Sequence, residues 1–237
     1  MIKIAIVTGC AKGIGKQIAL TLASNNYDII GTYNTSLELM EELKQQIEVK
    51  GVSFTYFKLD LLEDSSIDLF CNEINKKYKN IDILINNAAL SLDNDFVSKT
   101  FVEFSNVLKV NLIGPFILTQ KLYKKLNNGI IINISSTDGI NTYNEFNIDY
   151  SASKAGLINL TKSLSLILKN TKVYAICPNF VNTESVRDMN IDYLNSELIR
   201  INQKKLIEPV EVANKVLDLT LNDYESGSII VMEDSCE

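Results

Sequence analysis

Short, nearly continuous apolar runs alternate along the chain with longer stretches whose apolar positions recur at helical spacing. Residues 2–7 form the first run and read as a buried strand, because β-branched residues dominate it. Residues 13–25 follow with helical spacing, and residues 27–32 read as a second strand. Leu37, Met40, Leu43 and Ile47 then share one helical face, with Gly51 placed to stop the helix. Residues 53–57 predict a third strand. Ile67, Phe70, Ile74 and Tyr78 lie on one face of a helix that Asp64 or Ser65 is placed to cap. Residues 81–85 and 130–134 are two further apolar strands, separated by a helical region over about 101–126. A Ser- and Ala-rich helix over 150–169, a strand over 172–176, a helix over 210–221 and a short strand over 228–231 complete the pattern.

This alternation predicts an α/β fold: a doubly wound seven-stranded parallel sheet with helices on both faces. No linker or internal repeat interrupts it, so residues 1–237 are expected to form a single domain. The stretch 182–207 fits the rhythm poorly. A long segment beside the carboxyl ends of the strands is where such folds carry a substrate lid, and that role is expected here.

The turn after the first strand reads Thr8-Gly9-Cys10-Ala11-Lys12-Gly13-Ile14-Gly15. Glycines at 9, 13 and 15 let the backbone turn tightly and approach a phosphate, and the following helix offers unpaired N–H groups and a positive dipole end. That combination makes the fold Rossmann-like, with a dinucleotide pyrophosphate as the expected ligand of the turn.

Composition then narrows the chemistry. Histidine is absent, which removes Ser-His-Asp hydrolases, Cys-His proteases and most transition-metal sites, and no metal site is expected. The four cysteines (Cys10, Cys71, Cys177 and Cys236) are scattered, without the spacing of a zinc site or a disulfide framework. A net charge of −6 argues against nucleic acid as a partner. With no apolar run judged long enough to span a bilayer and no signal-peptide pattern, no membrane partner is expected and a cytoplasmic location is.

Acid–base chemistry must therefore come from other groups, and Tyr150 with Lys154 is the most suggestive pair. One helical turn apart, they share a face. An adjacent ammonium favours the tyrosinate and would lower a phenol pKa from its usual ~10. About one such spacing is expected by chance in a chain of this composition, so context decides. Ser135-Ser136 ends the strand at 130–134, Asn86-Asn87-Ala88-Ala89 ends the strand at 81–85, and Asp60-Leu61 follows the third strand. Each cluster alone reads more readily as a helix cap. In a parallel sheet they all converge on one crevice.

Taken together, these motifs resemble the short-chain dehydrogenase/reductase family in its compact, single-domain branch. The matching pieces are TGCAKGIG at 8–15, Asp60-Leu61, NNAA at 86–89, Asn111 within KVNLIGPF, NISS at 133–136, YSASK at 150–154 and PNFVNT at 178–183. The resemblance implies an oxidoreductase moving hydride between a nicotinamide and a carbonyl or secondary alcohol. Tyr150 would be general acid and base, Lys154 would hold the nicotinamide ribose, Ser136 would bind the carbonyl oxygen, and Asn111 would hold a water relaying protons to the lysine. It also implies that Gly9, Lys12, Gly13, Ile14 and Gly15 line the pyrophosphate. Asp60 with Leu61 would meet the adenine, Asn87 with Ala88 the nicotinamide-side ribose, and Pro178, Val181 and Thr183 the nicotinamide end.

NADP(H) is expected over NAD(H). An NAD-selective site places an acid past the second strand to bind the ribose 2′-hydroxyl. Here that place reads Gly31-Thr32-Tyr33-Asn34-Thr35-Ser36, with no acid, and Lys12 adds a positive charge nearby. Several positions depart from the family pattern. Ala89 and Asn179 stand where glycine is usual, Asn179 being expected to accept a positive φ. One extra residue separates Ser136 from Tyr150, and the ending MEDSCE lacks the usual acidic-Gly-Gly, which leaves subunit geometry open.

By overall pattern the chain is closest to the 3-oxoacyl-[acyl-carrier-protein] reductases, implying an acyl-thioester substrate. Lys121, Lys124 and Lys125 make only a modest patch for an acidic carrier protein, and Arg187 in the expected lid is a candidate for an anionic substrate. A reductase of another ketone, sugar or alcohol stays open, as does an idle NADP-binding sensor or scaffold. Small residues along 150–169 permit close helix packing in a homodimer or homotetramer.

Overall fold

Apolar residues fill most strand positions and fall on both faces, so both sides of the sheet must be covered. The computed structural model describes residues 3–233. Its strands are β1 (Lys3–Val7), β2 (Tyr27–Tyr33), β3 (Phe54–Lys58), β4 (Ile83–Asn86), β5 (Ile130–Ile134), β6 (Lys172–Pro178) and β7 (Ile229–Met232). They form one sheet in the order β3-β2-β1-β4-β5-β6-β7, every pair parallel. The helices are α1 (Gly13–Ala23), α2 (Leu37–Glu48), α3 (Asp64–Lys77), α4 (Phe101–Leu108), α5 (Gly114–Leu122), α6 (Ile148–Ile167), α7 (Glu184–Arg187), α8 (Ile191–Arg200) and α9 (Pro209–Leu221). The doubly wound parallel sheet read from the sequence is the one observed.

Alternate strand residues feed two cores. Ala5, Val7 and Ile29 pack with Ile18, Leu22, Met40, Leu43, Val212 and Val216 from α1, α2 and α9. Ile6, Ile30 and Leu84 pack with Ile67, Phe70, Ile74, Leu118 and Leu164 from α3, α5 and α6 on the other side. The period of two along each strand is what sends neighbours to opposite layers.

Four expectations need correction. The helix expected over 101–126 is two α-helices joined by a π-turn, Lys109–Ile113, and it ends at Leu122. Pro115 has no N–H to offer the carbonyl of Asn111 four residues earlier, so the regular ladder breaks there. Phe101–Leu122 is also long and apolar enough, by length and composition, to cross a membrane; in the fold it packs against α3 and α6. Neither Asp64 nor Ser65 caps α3, whose N-cap position is Glu63. Asn179 has no positive φ; the non-glycine residues that do are Asn26, Asn128 and Asn202.

The segment 182–207 leaves and re-enters the fold through a narrow neck. Val181 bridges to Ile207, Asn182 N donates to Ile207 O at 2.8 Å, and Ile207 N donates to Phe180 O at 3.0 Å. Between these ends lie α7 and α8. The ending MEDSCE falls largely outside the described residues, as do Cys236 and the first residues of the expected opening strand.

Candidate active site

Because all strands run the same way, the loops after β1 to β6 share one edge. The strand order reverses between β1 and β4, which opens a crevice there. The glycine turn lies on one side of that crevice and Ser136, Tyr150 and Lys154 on the other.

The glycine turn is held by backbone and neutral side-chain groups of its neighbours. Gly9 N donates to Thr32 Oγ1 at 3.2 Å, and Cys10 N to Thr32 O at 3.0 Å. Thr8 Oγ1 accepts from Asn87 N at 2.9 Å and Ala88 N at 3.1 Å, knitting the turn to the loop after β4. Gly9 and Gly13 have φ of 64° and 56°, in the region where a side chain is strained. A Cβ on Gly15 would lie 2.5 Å from Asn87 Nδ2 and closer still to Gly9 O. The first turn of α1 has no side-chain cap and no acidic residue of its own, which leaves its N–H groups available, while Glu184 Oε2 stands 3.7 Å from where a Cβ on Gly13 would sit. Such a cradle fits a pyrophosphate.

The other expected cofactor residues follow strands that end on the same edge of the sheet as this turn. Thr183 Cγ2 is 3.3 Å from where a Cβ on Gly13 would sit, so the loop after β6 reaches the turn. Pro178 and Val181 are buried below it, while Ile14 is half-buried. Lys12 and Asn34 are exposed. Asp60 is half-buried beside buried Leu61, and its Oδ1 accepts from Leu62 N at 2.9 Å. The amide of Asn87 donates to Thr8 O at 2.9 Å and Gly9 O at 3.1 Å, so its nitrogen braces the turn. Cys10 behind the turn is fully buried, and desolvation pushes its thiol up to about 12, leaving it protonated and inert.

On the opposite wall, α6 sets Tyr150 and Lys154 one turn apart. The Lys154 ammonium is 5.2 Å from the centre of the Tyr150 ring and donates to Ile134 O at 2.8 Å. Ser135 Oγ donates to Lys154 O at 2.9 Å, clamping α6 onto the end of β5. A Cβ on Gly139 would lie 2.6 Å from the Ala155 nitrogen, so only glycine lets this loop reach the helix. The Ser136 hydroxyl lowers the phenol pKa of Tyr150. Burial outweighs it. Desolvation, followed by the Asp138 carboxylate, holds the phenol above the usual tyrosine range, and desolvation pulls the Lys154 ammonium down to about 8. The lowering of the phenol by Lys154 expected from spacing is not found: the phenol is raised, and the group that opposes the rise is Ser136.

Asn111 lies in the π-turn. Its Oδ1 accepts from Leu90 N at 2.7 Å, and its Nδ2 donates to Leu90 O at 2.9 Å and Ser153 Oγ at 3.1 Å. Ser153 Oγ in turn donates to Tyr150 O at 2.6 Å. The side chain is therefore used within the protein. What Pro115 leaves without its helical donor is the Asn111 backbone carbonyl.

Several groups here were given no role by the sequence. Beneath the site, Asn86 Nδ2 donates to Asn133 Oδ1 at 2.8 Å and Asn133 Nδ2 to Thr161 Oγ1 at 2.9 Å, a buried tie from β4 through β5 to α6. The extra residue between Ser136 and Tyr150 is taken up by a loop carrying Asp138, whose Oδ1 accepts from Thr142 Oγ1 at 2.7 Å. That loop meets α8. Asn144 Nδ2 donates to Tyr193 Oη at 2.9 Å and Glu197 Oε2 at 3.1 Å, and Arg200 joins Glu197 Oε2 at 2.7 Å to Thr142 O at 2.9 Å. Arg187 instead bonds back to Asn182.

Comparison with known proteins agrees with this geometry. The profile of the short chain dehydrogenase family matches residues 3–194. The 3-oxoacyl-[acyl-carrier-protein] reductase FabG of Aquifex aeolicus is 37% identical over 236 residues, covering 96% of this chain and 94% of the relative. A dehydrogenase/reductase structure from Sinorhizobium meliloti superposes with a TM-score of 0.91 at 26% identity, over 98% of this chain and 94% of that one. The acetoin dehydrogenase YohF of Salmonella typhimurium gives 0.86 at 26% identity, over 99% and 95%.

Proposed function

This chain belongs to the short-chain dehydrogenase family, and on that premise we propose that it is an NADP(H)-dependent carbonyl reductase with Tyr150 as general acid. The observation that carries the reading is the phenol of Tyr150 set between Ser136 and Lys154, on the wall facing an uncapped glycine turn. When bound, the nicotinamide supplies the hydride to the carbonyl carbon. The remaining tasks fall to the chain.

Tyr150 gives its proton to the carbonyl oxygen and takes it back in the reverse direction. A phenol held protonated by burial suits the reducing direction. Ser136 orients the same oxygen by hydrogen bonding. Lys154, fixed by the Ile134 carbonyl, holds the nicotinamide ribose and adds positive charge beside the phenol. The backbone carbonyl of Asn111 seats the water that returns a proton towards Lys154. Gly9, Gly13, Ile14 and Gly15 take the pyrophosphate, Asp60 and Leu61 the adenine, Asn87 and Ala88 the near ribose, and Pro178, Val181 and Thr183 the carboxamide end. Exposed Lys12 and Asn34, with no acid past β2, favour a 2′-phosphate.

A 3-oxoacyl thioester is the substrate most in keeping with the FabG relative. A small polar ketone is the second reading, favoured by the Asp138 carboxylate, whose charge is felt at the phenol. The segment 182–207 acts as the lid of this single domain. Exposed Phe101, Val102 and Phe116 along α4 and α5 suit a homodimer or homotetramer, and the cytoplasm is its place of work. Rates of NADPH oxidation on a 3-oxobutanoyl thioester and on short hydroxyketones separate the two readings. A kcat/KM higher for the thioester supports the first; the reverse order supports the second.

A further inference from the structure

Beside the proposed acid lies an ion pair taken out of water. The Lys99 ammonium, in the loop between β4 and α4, is 3.0 Å from Asp149 Oδ2 and 3.2 Å from Oδ1, with the side chains 3% and 0% exposed. Asp149 immediately precedes Tyr150 in the first turn of α6. Burying two ions costs about what their attraction returns, so such a pair is a poor source of stability. Its location points to a different use.

A helix start exposes N–H groups that an N-cap side chain normally satisfies. The N-cap of α6, Asn147, makes no such bond; its side-chain oxygen accepts from Ser91 Oγ at 3.1 Å. Asp149 Oδ1 instead takes one of those N–H groups, that of Tyr150 itself, at 2.9 Å. The turn that carries the phenol is therefore held by a carboxylate, and the carboxylate by Lys99. Lys99 Nζ also donates to Leu92 O, and Asn94 N donates to Phe146 O at 3.0 Å. These bonds fasten the loop after β4 to the start of α6.

We propose that Lys99 and Asp149 are positioning residues for Tyr150. The pair fixes the first turn of α6 so that the phenol stands at the reacting oxygen, and it ties that placement to the loop at 90–100. The inference rests on Tyr150 being the acid of the reductase proposed above. Neither residue touches the reacting atoms.

The test compares wild type with Lys99→Met, Lys99→Arg and the double variant Lys99→Met/Asp149→Leu on a 3-oxobutanoyl thioester. Active sites are counted by NADPH fluorescence titration. Lys99→Met is expected to lower kcat per NADPH site about 10- to 100-fold, the effect of a small misplacement at a reacting group. Its NADPH dissociation constant stays near that of wild type. The solvent deuterium isotope effect on kcat rises, because proton delivery becomes the slower event, and Lys99→Arg recovers most of the rate. The double variant strands no charge, so it melts close to wild type yet stays slow. It decides the matter by the same readouts if Lys99→Met does not fold. A variant with wild-type kcat per site and isotope effect, whatever its melting temperature, overturns the proposal. A wild type that binds NADPH but reduces no carbonyl overturns the reductase reading, and this inference with it.

Discussion

Around the glycine turn the bonds join neutral groups, backbone atoms with the Thr8 and Thr32 hydroxyls and the Asn87 amide; across the crevice, around Tyr150, charged side chains take part, Lys154 and the Lys99–Asp149 pair among them. Gly9, Gly13 and Gly15 matter for what they lack, since a methyl group at 15 has no room. Ser136, Tyr150, Lys154 and Asp149 matter for the functional groups they carry, each oriented by a named partner. In the function proposed above, one wall binds by shape and helix polarity, and the other places protons. Deletions should therefore wound the second wall and additions the first.

The largest effect is expected from removing one oxygen. Tyr150→Phe should lower kcat by about 10³-fold, within the range that general acid catalysis supplies, while NADPH titration gives an almost unchanged dissociation constant. Adding one carbon to the other wall should do the opposite. Gly15→Ala should raise the NADPH dissociation constant roughly 10- to 100-fold, if overpacking of about 1–3 kcal/mol is felt as lost affinity. A Gly15→Ala enzyme with normal cofactor affinity would break the contrast.

A smaller effect separates cofactors. Lys12→Glu should raise KM for NADPH about tenfold, the scale of one exposed charge-assisted contact to phosphate, and leave KM for NADH nearly unchanged. Equal shifts for both would remove Lys12 from the 2′-phosphate. The smallest effect is a slope. The folded-state value of Lys154, about 8, lies below the ~10.4 of an unfolded lysine. The cost of burying its ammonium is therefore felt in full below that folded value and lifts as pH rises towards the unfolded one. Urea unfolding of the cofactor-free protein should show wild type gaining stability over Lys154→Met across that window. The comparison is read below pH ~10, where Tyr150 ionises in the unfolded chain and opposes the trend. A constant difference between the two proteins would contradict the burial of a charged lysine.

The two walls also differed in how openly the sequence displayed them. The apolar runs predict every strand of the sheet to within a few residues, because a strand covered on both faces tolerates few polar residues. The glycine turn shows itself too, since three glycines between a strand and a helix have few other uses. The Lys99–Asp149 pair was invisible because its partners lie 50 residues apart and meet only through the fold. Asn86 and Asn133 stand inside the motifs at 86–89 and 133–136, but their bond was hidden for a similar reason, because they face each other only once β4 and β5 are paired. The π-turn was missed although Pro115 marked it, because helical periodicity continues across the break. Asn179 was expected in a left-handed turn, yet its side chain pairs with Thr137 in an ordinary backbone conformation.

The most direct test follows a labelled hydrogen. NADPH carrying deuterium on the transferring face of the nicotinamide is incubated with a 3-oxobutanoyl thioester and, in parallel, with short hydroxyketones. Mass spectrometry then locates the label. Wild type should place deuterium on the new alcohol carbon of at least one product, and Tyr150→Phe should bind the same NADPH and transfer almost none. Tight NADPH binding with no label in any product, or equal transfer by Tyr150→Phe, would contradict the account.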